Sequence, residues 1–114
     1  PMHELGIVAE IVRIVENIAR EQHLTEVETL VLQIGEMSPV VPYFVEQCYP
    51  AASYGTMLES TRLEIEVLPA NGRCSSCGKV FHVPSHQQGC PACGATEWEL
   101  LGGREFMIKE IIAR

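Results

Sequence analysis

Apolar residues recur at spacings of three and four across residues 5–21. Ile7, Val8, Ile11, Val12, Val15, Ile18 and Ala19 form one stripe, and Glu10, Arg13, Glu16, Asn17 and Arg20 fill much of the rest. That period predicts an amphipathic helix, even though its many β-branched residues weaken intrinsic helix propensity. Gln22-His23-Leu24-Thr25 ends it. Residues 26–35 read as a strand, with Leu30, Leu32 and Ile34 alternating against Val31 and Gln33 and Gly35 closing the run. Ser38-Pro39 and Pro42 mark the start of a second helix over about 41–54. Phe44, Val45, Cys48, Ala51 and Ala52 are its expected core face, and Pro50 predicts a kink or an early break. The sharpest alternation is at 62–68: Leu63, Ile65 and Val67 on one face, Arg62, Glu64 and Glu66 on the other.

Pro69-Ala70-Asn71-Gly72 opens a different region. From Arg73 to Gly103 the chain is rich in Cys, Gly and Ser and lacks apolar periodicity. Such a segment buries too little to fold alone and needs a staple. After Gly102-Gly103 the apolar pattern returns in Phe106, Met107, Ile108, Ile111 and Ile112. We read a strand that rejoins the first unit, with a short helix as the alternative. The Cys-rich region is then an insertion: one unit spans residues 1–70 plus 104–114, and the other spans 71–103.

The staple is written in the cysteines. Cys74-Ser75-Ser76-Cys77-Gly78 and Cys90-Pro91-Ala92-Cys93-Gly94 stand twelve residues apart. Two thiolates separated by two residues can meet one ion from a tight turn, and two such turns supply a tetrahedron of sulfurs. That set suits Zn²⁺, and the glycine after each pair fits a left-handed knuckle. Four sulfurs leave no open position for an activated water, so the expected role is structural. Dithiol redox chemistry, disulfides and a rubredoxin-like iron site are the competing readings. His82 and His86 lie between the pairs, as ordinary loop or strand residues or as neighbours that tune the metal. Cys48, the fifth cysteine, reads as a small buried hydrophobe.

Composition narrows the function. The chain has 114 residues, is 46% hydrophobic and carries a formal charge of −7. That is a globular balance, and the acidic excess argues against a partner bound through its phosphates. No apolar run approaches the roughly 20 residues that span a bilayer. With no secretory signal read at the N-terminus, the expectation is a soluble cytoplasmic protein. Nothing offers an activated nucleophile, a phosphate-cradling loop or a convincing carboxylate pair, so the chain is not read as an enzyme.

The opening Pro1-Met2-His3-Glu4-Leu5-Gly6 gains meaning from the rest of the chain. Met-His-Glu-Leu, a helix, a strand ending Ile34-Gly35-Glu36, a second helix, the Leu63–Val67 strand, the paired Cys-x-x-Cys module and a returning strand stand in one order. In that order the chain resembles, over nearly its whole length, the HypA/HybF nickel metallochaperones of [NiFe]-hydrogenase maturation. The resemblance implies an α+β fold, with two helices packed on a three-stranded sheet as a nickel domain and a zinc ribbon inserted between the second and third strands. It implies Ni(II) as cargo bound at Met2, His3 and Glu4, with structural Zn(II) at Cys74, Cys77, Cys90 and Cys93. It implies delivery to the hydrogenase large subunit with the GTPase HypB, and in some relatives a link to urease maturation proteins. In the family the amine of the first Met is itself a donor. Here Pro1 precedes Met2, so the donors become the Pro1 amine, the Met2 and His3 amide nitrogens, and His3 Nδ1, a square plane that suits Ni²⁺ or Cu²⁺. A monomer or weak homodimer is expected. The alternative is a zinc-ribbon adaptor that mediates protein contacts without handling nickel.

Overall fold

The computed structural model describes residues 2–114. Pro1 lies outside the described residues, and so does any donor role for its amine. The chain runs α1 (Met2–Glu21), β1 (Val27–Gly35), α2 (Pro42–Ser53), β2 (Arg62–Leu68), β3 (Asn71–Cys74), β4 (Val80–His82), β5 (Trp98–Leu100) and β6 (Phe106–Ala113).

Helix α1 starts three residues before the expected start at residue 5, and Glu4 in its first turn complements the helix dipole. It stops where His23 takes a left-handed φ of 58°. There the Leu24 N–H turns back to the Ala19 carbonyl at 2.9 Å. Val8, Val12, Val15 and Ala19 are buried from α1, and Leu30, Leu32 and Ile34 from β1. These residues meet Val45, Cys48 and Tyr49 of α2 in one core.

Helix α2 corrects the sequence expectation at two points. Pro50 neither breaks nor shortens it: the helix continues to Ser53, and the Tyr54 N–H still reaches the Pro50 carbonyl at 3.1 Å. Burial of Cys48 and Tyr49 before the proline and Ser53 after it holds the last turn in place. The buried face is Val45, Cys48, Tyr49 and Ser53; Ala51 is exposed, and Phe44 and Ala52 are half-buried. Tyr49 is accommodated because its hydroxyl donates to the Thr61 carbonyl at 3.1 Å and lies 3.3 Å from that of Leu58. Burial raises its pKa to about 12, against a smaller opposing effect from the Thr61 bond.

The first sheet has strand order β2-β1-β6. Strands β1 and β2 are parallel, with α2 inside their crossover, and β6 returns antiparallel to β1. A bulge between Val31 and Leu32 leaves Lys109 without a partner in the register. It lets Ile108 and Ile111, three apart, both pack on the core. The second sheet, β4-β3-β5, lies between β2 and β6 in sequence. Its small core is Cys74, Phe81, Val83 and Cys90, with Ala95, Trp98 and Leu100 against it. The two cores share no residue, and the molecule is elongated, 54 × 28 × 16 Å.

The connections between the sheets cross at a crowded point. A methyl group on Gly35 would lie 2.1 Å from the carbonyl carbon of Gly103, and one on Gly103 would lie 2.5 Å from the Ala70 Cα. Gly103 also has φ = 113°, so only glycine serves there without strain.

Candidate metal centre and N-terminal turn

The two Cys-x-x-Cys segments fold as near copies of one knuckle. Cys74 N–H bonds the Lys79 carbonyl and Cys90 N–H bonds the Ala95 carbonyl, both at 2.8 Å. Gly78 and Gly94 both have φ = 78° and send their N–H groups to Cys74 and Cys90. Ser76 and Ala92 each aim an N–H at the first sulfur of their pair, at 3.4 Å. The expected glycine knuckles are therefore present twice.

The four sulfurs lie within 4.8 Å of one another. Cys74 to Cys93 and Cys77 to Cys90 are both 3.6 Å. A tetrahedron with metal–sulfur arms of about 2.3 Å has edges of about 3.8 Å, so the set fits a divalent ion such as zinc. No disulfide joins them.

The electrostatics point the same way. The N–H groups of Cys77 and Ser76 lower the Cys74 thiol to about 6. At Cys93 the Ala95 N–H pulls down, but hydrogen bonding to the Cys74 sulfur, burial and the other thiols push it up to about 12. Four sulfurs held this closely form the first thiolate readily and the last only with difficulty. A divalent cation removes that conflict by displacing the protons, so binding weakens in acid.

The histidines between the pairs are occupied elsewhere. His82 Nε2 contacts Glu36 Oε1, and its Nδ1 meets Ser85 Oγ at 2.6 Å. His86 Nδ1 bonds the His82 carbonyl at 2.9 Å, and its ring stands edge-on to Phe81. Among the described residues the metal-binding group comprises the four cysteines. Cys48 is buried on α2, as its apolar setting suggested.

Met2, His3 and Glu4 form the first turn of α1. His3 is exposed, whereas Glu4 is only 4% exposed and accepts the Val41 N–H at 3.4 Å. Desolvation raises the Glu4 pKa, but the Val41 N–H and its own backbone N–H outweigh it, and the carboxyl stays below its ordinary value. The turn thus offers an imidazole to solvent and anchors itself through a carboxylate.

Glu36 was missed as an interacting residue. In sequence it only closes the Ile34-Gly35-Glu36 strand end, yet its Oε1 takes both the Ala70 N–H, at 2.6 Å, and His82. No local pattern pairs positions 36 and 82.

An α+β unit carrying a four-cysteine ribbon defines a class of small metal-binding proteins, and comparison with known families narrows it. Residues 2–113 match the family described as "Hydrogenase/urease nickel incorporation, metallochaperone, hypA". The hydrogenase maturation factor HypA of Geobacter sulfurreducens is 41% identical over 110 residues, covering 96% of this chain and 97% of the relative. That of Dechloromonas aromatica is 32% identical over the same length. The chain belongs to the HypA family of nickel metallochaperones, which are maturation factors and not enzymes. The fold is shared with the solution structure of the Ni metallochaperone HypA from Helicobacter pylori, at TM-score 0.66, 19% identity and 96% coverage of both chains. A second HypA solution structure matches at TM-score 0.72 and 20% identity, covering 100% of this chain and 98% of that one. Among the described residues no helix is long and apolar enough to cross a membrane.

Proposed function

We propose that this chain binds Ni(II) at its N-terminal turn and delivers it to the large subunit of a [NiFe]-hydrogenase, acting with the GTPase HypB. The observation that carries the reading is the solvent-exposed His3 at the start of α1 in a chain that matches the nickel-incorporation family from residue 2 to residue 113. Helical geometry supports it. The first N–H groups of a helix have no carbonyl partner within it, so amide nitrogens near His3 are available to join the imidazole as donors. Nitrogen donors in a plane suit Ni²⁺. The nickel residues are Met2, His3 and Glu4. Glu4 contributes by fixing the turn through Val41.

Zinc is the resident ion of Cys74, Cys77, Cys90 and Cys93. When bound it supplies a closed, four-sulfur crosslink and no reactive position. The metal-handling unit is residues 1–70 with 104–114, and the ribbon is 71–103. Both amide and imidazole donors lose protons on binding nickel, so cargo is released as the pH falls. Urease maturation proteins are a second destination for the same cargo. The place of work is the cytoplasm.

The test is equilibrium dialysis against Ni(II) with the four-cysteine site already filled with zinc. One further equivalent of nickel per chain, lost in His3→Ala, supports the reading. No saturable nickel binding would leave a ribbon adaptor in its place.

A further inference from the structure

The two sheets have separate cores, which share no residue among the described residues. Units joined by linkers alone move relative to one another by default. Backbone bonds tie the linkers to the end of β1. Glu36 N–H reaches the Leu68 carbonyl at 2.8 Å, Met37 N–H reaches that of Gly103 at 2.7 Å, and Gly35 N–H reaches that of Glu105 at 2.7 Å. These bonds hold the ends of the linkers, not the body of the ribbon.

A side-chain contact reaches into the ribbon. His82 sits at the end of β4, paired with Asn71 across the second sheet, and its ring meets Glu36, the residue after β1. We propose that the Glu36 carboxylate and the His82 imidazole form a latch that fixes the ribbon's orientation against the first sheet.

Each part is held from a second side. Glu36 Oε1 also takes the Ala70 N–H, which pins the carboxylate over the first linker. Ser85 Oγ meets His82 Nδ1, so the ring is gripped at both nitrogens. Nδ1 accepting from the Ser85 hydroxyl leaves Nε2 as the N–H that donates to Glu36. Both side chains are partly shielded, Glu36 at 28% and His82 at 37% exposure, so water screens the contact less than a fully exposed pair. The Ala70 N–H and the His82 ring keep the Glu36 carboxyl below its ordinary pKa, consistent with a carboxylate acceptor.

The latch also stands at one end of a short segment whose other end is the proposed nickel turn. Six residues run from Glu36 to Val41, and the Val41 N–H is held by Glu4 beside His3. Glu36 and His82 are therefore positioning residues: they set where the ribbon lies relative to the metal-bearing turn. Only this consequence rests on the nickel reading; the latch itself does not.

The test uses the full zinc-loaded chain without nickel. Residual dipolar couplings are measured in weakly aligning medium, and an alignment tensor is fitted to each sheet separately. The wild type is expected to give one common tensor. In His82→Ala the ribbon's degree of order relative to the first sheet falls by about twofold or more, as expected for units joined by linkers alone. Couplings within each sheet still fit that sheet. Glu36→Gln and His82→Gln, which keep an acceptor and a donor respectively, retain the common tensor. If the ribbon of His82→Ala loses internal order, His82→Gln decides: a common tensor upholds the latch and separate tensors overturn it. A common tensor in a well-ordered His82→Ala overturns it outright. Absence of saturable nickel binding in a separate dialysis of the wild type, with its common tensor intact, would refute the nickel reading and leave the latch standing.

Discussion

Gly35→Ala places a methyl group where the two connections cross. The added carbon would sit 2.1 Å from both the carbonyl carbon and oxygen of Gly103 and 2.6 Å from the Arg104 nitrogen. Carbon–carbon contacts normally lie at about 3.5–4.0 Å, so the 103–104 peptide must retreat by about 1.5 Å. The obstacle is backbone, which has no rotamer to yield. Overpacking of this kind costs about 1–3 kcal/mol. The retreat also strains the Gly35–Glu105 and Met37–Gly103 bonds, both 2.7 Å, at about 1 kcal/mol each. The sum, about 3–5 kcal/mol, lowers the folding equilibrium constant by roughly two to four orders of magnitude. Urea denaturation of the zinc-loaded protein, followed by helical circular dichroism, measures it. With a slope of about 1–3 kcal/mol per molar, the midpoint falls by at least about 1 M. Gly6→Ala is the control: nothing lies within 4 Å of its new methyl group, and the residue is inside α1. It is expected to stabilise by about 0.5–1 kcal/mol. If Gly35→Ala unfolds within about 0.5 kcal/mol of wild type, the close crossing is wrong.

Other expectations come from the same packing. Trp98 is the one tryptophan and stands 6.0 Å, centroid to centroid, from Phe81 in the ribbon core. Chelating the zinc should red-shift its fluorescence while α-helical dichroism is retained, and a simultaneous loss of both would contradict two separate cores. Leu32→Ala, at a site 1% exposed, should cost about 2–5 kcal/mol in the same urea assay. Tyr49 is an acid whose folded pKa is raised, so its contribution is complete below the ordinary value of 10.0 and is lost as pH climbs through about 12. Absorbance at alkaline pH should show a late tyrosine ionisation that Tyr49→Phe removes; its persistence in that variant would refute the assignment.

The strands and helices of the first unit were legible because each buries one face. The apolar run of β1, the alternation at 62–68 and the stripe of α1 had few other solutions. The last strand was ambiguous between strand and helix for a physical reason. The bulge at Lys109 turns Ile108 and Ile111 to the same side, and a spacing of three is what a helix also shows. The early break allowed for at Pro50 does not occur, because burial of its neighbours outweighs its local cost. The four-sulfur cage was visible, since each pair is set by cysteines with two residues between them. The N-terminal turn is singled out only by the order of all the motifs, because a lone exposed histidine has no signature of its own, and its nickel role is a proposal. The Glu36–His82 contact was invisible: it joins positions 46 apart and depends on how two units meet.

The central claim is that a transient cargo ion is held at the opening turn while a second ion is locked in sulfur. X-ray absorption at the nickel and zinc edges of protein loaded with both metals tests it directly. The account predicts zinc surrounded by sulfur alone and nickel surrounded by nitrogen and oxygen with imidazole scattering that vanishes in His3→Ala. Sulfur in the nickel shell, or a nickel spectrum unchanged by His3→Ala, would contradict it.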